Sequence, residues 1–213
     1  MGIPPAILPS GDDSAAILAA ALAWLLDGSG RLEPHLALAA PAPEGADPGI
    51  RHVHLRPELF LQLGGTTEFH LPAERFTLHR GDLLLLPRLL PHLEFNRDEP
   101  EPFRNLVVMP NPGFLGLHIC ATVAPGRTHL VGESRIQIRS PLLEAVNAVI
   151  DAAMRRRFGP LHPADPSPTW ELLRAAVLIL ADILAEHRAA AGQDDRVARC
   201  RERIELGLAD PGL

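Results

Sequence analysis

The chain has 213 residues, 46% of them hydrophobic and 22% charged, which suits one compact domain or one domain with a helical extension. A formal net charge of −6 gives the bulk of the surface no attraction to nucleic acid or anionic lipid. Cys120 and Cys200 stand alone and without partners at metal-binding spacing, so disulfide frameworks and zinc fingers are excluded and a reducing cytoplasm is the expected compartment.

Residues 15–26 are apolar, but Asp12 and Asp13 precede them and the first basic residue is Arg31. A signal peptide needs a basic start and a membrane span needs about 20 apolar residues. The stretch therefore predicts a packed helix, capped by Asp13 or Ser14, ended at Gly28 and anchored by Trp24. Residues 32–40 predict a strand on which His35 is a surface or internally satisfied histidine. Residues 41–49 (PAPEGADPG) predict a loop.

The richest stretch is residues 51–96. Its first half sets His52, His54 and Glu58 at the spacing H-x-H-x-x-x-E, with Gly65 ending the run. Its second half sets Gly81, Pro87, His92 and Asn96 in the order G-x5-P-x4-H-x3-N. Side chains alternate along a strand, so His52 and His54 share one face, and Phe60 and Gln62 share a face with Glu58. Val53, Leu55, Leu59, Leu61 and Leu63 take the opposite face, with Pro57 a point where the strand can kink. Residues 66–71 and 75–80 predict a hairpin. Residues 83–86, four consecutive leucines, predict a strand covered on both sides, and a further strand begins at His92. Two readings of the polar face stand side by side. It is either the wet side of a half-buried sheet or a set of convergent imidazoles and a carboxylate suited to zinc, iron, nickel or copper.

Beyond Asn96 an acidic, proline-rich turn leads to strands at 103–109 and 115–121 and a short one at 135–138. His118 alternates with Leu117 and Ile119 and is read as pocket lining. Arg104 is read as a surface residue or a contact for an acidic ligand. The composition then turns helical. Ser140 and Pro141 open a helix with apolar residues at Leu142, Leu143, Val146, Val149, Ile150 and Met154. Its closing Arg155, Arg156 and Arg157 suit a helix C-terminus better than a nucleic-acid patch. A second helix runs from Ser167 to about Ala191, where Gly192 ends it, and a third carries Val197, Cys200, Ile204 and Leu208. The second helix is apolar over more than one face, so it needs cover on two sides. Either an intramolecular bundle or a homodimer interface around 177–184 supplies it.

The two spacings in residues 51–96 resemble the paired signature motifs of the cupin superfamily, although Leu89 stands where that pattern has a glycine. The resemblance implies a mainly β fold, a cupin-like double-stranded β-barrel at about 50–139, followed by α-helices over 140–213. A helix and a leading strand or loop occupy 1–49. It also implies a divalent metal (zinc, nickel or iron) on His52, His54, Glu58 and His92. A small-molecule ligand would then lie near Arg56, Phe60, Gln62, Asn96, Arg104 and His118. A barrel with a helical tail, ending in RIELGLADPGL, is similar to the effector-binding half of AraC-family transcriptional regulators. That similarity implies a homodimeric sensor whose DNA contacts are made by a C-terminal helix-turn-helix domain absent from this chain, as in a fragment of a longer protein. The competing class is a metal-dependent cupin enzyme, a dioxygenase or isomerase. A barrel that only dimerises is the third. The tail favours the sensor over an enzyme, and the four ligand-type residues speak against the third.

Overall fold

The computed structural model describes residues 13–27, 36–40, 53–124, 127–130, 136–159 and 167–208. His35, His52, the loop at 41–49 and the last five residues lie outside them.

Helix α1 spans Ser14–Asp27, and the Asp13 carboxylate accepts a hydrogen bond from the Ala16 N–H at 2.9 Å, which caps it. Ten strands follow: β1 (Leu36–Leu38), β2 (Glu58–Gly64), β3 (Thr66–His70), β4 (Arg75–Leu78), β5 (Leu83–Leu86), β6 (Leu93–Arg97), β7 (Arg104–Asn111), β8 (Phe114–Ala124), β9 (Arg127–Leu130) and β10 (Ile136–Arg139). Helices α2 (Leu143–Phe158) and α3 (Ser167–Leu208) complete the chain. The strands form a seven-stranded sheet in the order β1-β5-β2-β7-β8-β10, with β9 paired to β8, and a three-stranded sheet in the order β4-β3-β6. Among the described residues the ladders make two separate sheets and no closed ring. Among the described residues the molecule is mixed α/β, with two multi-stranded sheets and three helices.

Two cores flank the large sheet. One unites its Leu61, Leu83, Leu85, Leu106, Leu117 and Ile119 with residues of all three helices. The other joins its Phe60, Leu84, Leu86 and Val107 to Phe69 and Leu78 of the small sheet. The leucines of β5 divide between the two and all four are buried, as a run without polar alternation requires. At the sheet's helical side, buried Asn147 of α2 donates through Nδ2 to the Pro110 carbonyl at 2.8 Å and to the Leu143 carbonyl at 3.0 Å.

Two expectations change. The strand through His52–Glu58 begins only at Glu58. Pro57 has no N–H for a ladder, so residues 53–57 leave the alternation, and Val53 and Leu55 are exposed instead of joining the leucine face. The second and third C-terminal helices are one, because α3 passes through Gly192. A single glycine inside a helix costs about 1 kcal/mol, whereas a break by proline costs about 3. The wide apolar face of α3 is largely covered within the chain. Val177, Leu180, Ile183 and Leu184 are buried in the core shared with α1 and α2, and Leu178 is exposed. No described helix is long and apolar enough to cross a membrane.

Replacing Asn147 with alanine removes both side-chain bonds and leaves the Pro110 carbonyl without its donor. The expected loss is about 1–3 kcal/mol in urea unfolding. An unchanged midpoint would show that the link between helix and sheet is not structural.

Candidate metal centre

Three side chains from separate parts of the chain meet at the margin of the inter-sheet core. His54 comes from the irregular segment before β2, Glu58 opens β2, and His92 immediately precedes β6. One ligand-type atom from each lies within 4.8 Å of the other two. Glu58 Oε2 is 3.4 Å from His54 Nε2 and 3.8 Å from His92 Nε2. Atoms bound to one ion at about 2.1 Å stand about 3.0–3.4 Å apart at octahedral or tetrahedral angles, so small rotations bring these three onto a common centre. Glu58 and His92 are closed off, while the His54 side chain is 40% exposed, so access is from the His54 side.

The ring of His92 is held in one orientation. Its Nδ1 lies 2.9 Å from the Leu90 carbonyl, which can only accept, so Nδ1 carries the proton. In the neutral ring Nε2 then turns its lone pair toward Glu58, the arrangement metal-ligating histidines use. Phe60 and Phe69 flank the same ring at 6.4 and 6.3 Å between centroids. In this apolar setting Glu58 Oε2 is buried with no hydrogen-bond partner. Burial, and secondarily the charge of Glu94, pushes its carboxyl up to about 8. A bound cation would supply what the protein itself does not offer that oxygen. The donor set of two imidazoles and a carboxylate fits a first-row divalent metal.

Glu94 is a member of this neighbourhood that the motif spacing does not identify. It pairs with Phe69 across β3 and β6, which turns it toward the inter-sheet side, and its Oε1 is 3.6 Å from His92 Nε2. The signal was present in the sequence as the i, i+2 alternation that places Glu94 on the face of His92. Cys120 of β8 is pushed up to about 11, by burial first and by Glu94 second, so in the metal-free protein it stays a thiol.

The remaining sequence-derived residues divide. Phe60 is buried beside His92. Gln62 is fully buried, its Nε2 donating to the Gly64 carbonyl at 2.7 Å and its Oε1 accepting from the Thr67 hydroxyl at 2.9 Å. Asn96 Oδ1 is 3.1 Å from that hydroxyl, so Gln62 and Asn96 belong to a polar link between the sheets. His118 sits opposite Val107, a residue of the inter-sheet core, and is half-buried. Arg104 shares a strand face with Leu106 and Val108, which face the helices, so the strand pattern sets it on the far side of the sheet from Glu58. Arg56 is half-buried in the bend before β2.

The motif glycines have conformational reasons. Gly65 has φ +61°, and a Cβ there would stand 2.4 Å from the Arg97 carbonyl oxygen. Gly81 has φ 89°. Leu89, at the third glycine position of the pattern, adopts φ 62° without being glycine. No protein-family model matches the chain, and no curated protein matches it.

The raised Glu58 carboxyl sets a pH dependence for the metal-free protein. Between the ordinary carboxyl value of 4.5 and about 8, the folded state holds a proton that the unfolded state has released, so stability falls as pH rises through this window. Glu58→Gln removes the ionisation. With a chelator present, the variant should match the parent near pH 5 and exceed it at pH 9 by on the order of 2–4 kcal/mol. Urea titrations at the two pH values check this, and parallel curves would refute it.

Proposed function

We propose that the chain is the ligand-sensing and dimerisation domain of an AraC-type transcriptional regulator. In this reading a cupin-like double-stranded barrel binds a small molecule and a divalent metal (zinc, nickel or iron), and the helices carry the state onward. The observation that supports it best is the loop at 87–91. Its Leu89 N–H donates to the His54 carbonyl at 2.8 Å, its Leu90 carbonyl orients His92, and its Arg88 pairs with Asp151 of α2 at 3.3 Å. One short loop thus reaches two members of the His/Glu group and the helical layer. The Arg88 and Asp151 side chains are 51% and 25% exposed, so the pair adds less than about 1 kcal/mol to stability and its value is positional. Coupling requires only that the ligand bind one arrangement of α2 and α3 better than another.

His54, Glu58 and His92 would hold the ion, with His52 as the fourth ligand that the motif resemblance implies. A divalent metal there supplies Lewis acidity and open coordination positions for an oxygen or nitrogen of the small molecule. DNA binding would belong to a helix-turn-helix domain outside this chain. A homodimer would draw on the 177–184 stretch of α3, where Leu178 is an exposed large apolar side chain among the described residues. A metal-dependent cupin enzyme of dioxygenase or isomerase type is the second reading. The same His/Glu group favours it, with Glu94 beside His92 as a carboxylate able to move a proton.

Elemental analysis followed by amide hydrogen exchange separates the two. Under the sensor reading, metal loading slows exchange both at 87–92 and in α2. Arg88→Ala keeps the metal stoichiometry but confines the slowing to the site. Identical α2 exchange in chelated and loaded protein sinks the sensor reading. Dioxygen consumption or isomerisation by the loaded protein, with α2 unchanged, would establish the enzyme.

A further inference from the structure

Three exposed apolar residues stand close to His54 along the backbone. Val53 is 45% exposed, Leu55 74% and Leu89 55%. Val53 and Leu55 flank His54 in the chain, and the Leu89 N–H is bonded to the His54 carbonyl at 2.8 Å, so the three bracket the one solvent-facing member of the group. Leu89 holds this place at φ 62°, a left-handed conformation that a γ-branched side chain resists and glycine adopts freely. The exposed Leu89 side chain gains little from packing, and the backbone is held by its N–H bond to His54 and by buried Leu90 next to it. Strain of this kind persists where a side chain serves a site. Beneath the rim lies the buried Glu58 Oε2, which has no hydrogen-bond partner.

We infer that this site takes an amphipathic small molecule. Its polar, metal-coordinating head enters at His54, and its apolar body lies across Val53, Leu55 and Leu89, with Leu89 setting the preference for that body. The inference rests on the metal-binding reading above and adds the ligand class. A purely polar ligand would leave the three side chains in water. A ligand with an apolar body removes them from it, and each covered methylene should tighten binding by about threefold to fourfold.

Two hydroxamates probe the two parts separately by calorimetry on the metal-loaded full chain: acetohydroxamate, which is almost all head, and octanohydroxamate, which adds an alkyl tail. The parent should bind the long probe at least tenfold more tightly than the short one. Leu89→Gly should raise the urea midpoint, because the strain is relieved, and yet bring the affinity ratio of the two probes down toward one. Leu55→Ser should lose part of the tail's advantage without the gain in stability. Equal affinity for the two probes in the parent overturns the rim, as does an unchanged tail advantage in Leu89→Gly. Failure of the parent to bind metal or acetohydroxamate overturns the metal-binding reading on which the inference stands.

Discussion

Four consecutive leucines buried from both sides are the constraint on which this architecture turns. Leu83 and Leu85 face the helices, and Leu84 and Leu86 face the small sheet, so β5 can exist only where cover is available on each side. Burying a leucine side chain stabilises by about 1.5–3 kcal/mol, which makes the layered order of helices, large sheet and small sheet the arrangement that satisfies the strand. The neighbours of β5 inherit the same division. β2, paired to it, sends Leu61 and Leu63 toward the helices and Glu58, Phe60 and Gln62 toward the second sheet.

This division brings a carboxylate into an apolar margin. Glu58 starts its strand directly after Pro57, sits opposite Leu86 in the ladder, and has imidazoles but no hydrogen-bond donor at its buried oxygen. Other polar groups between the sheets are tied to one another. Buried Gln62 and Thr67 are linked to each other and to exposed Asn96, whereas buried Asn105 leaves its Oδ1 without a partner. Two kinds of polar group result, the set that ties the two sheets together and the His/Glu group at their margin. The loop at 87–91 then connects the second kind to the helical layer through His54, His92 and Asp151.

Much of this was legible in the residues themselves. The alternation in 58–63 and the unbroken LLLL of β5 determined which faces are apolar, because strand geometry has a period of two regardless of context. Asp13 before an apolar run determined where α1 starts, and the spacing of His54, Glu58 and His92 marked the residues that gather. What alternation could not determine is anything that breaks it. Pro57 interrupts the ladder, so the exposure of Val53 and Leu55 follows from a turn and not from parity. The continuity of α3 through Gly192 depends on a small propensity term against a long helix, and no local motif decides it. The position of Glu94 against His92, the left-handed backbone of Leu89 and the reach of Arg88 to Asp151 were settled only by the tertiary structure. They depend on how strands and loops distant in sequence come together, and residue type and spacing along one segment carry no record of that.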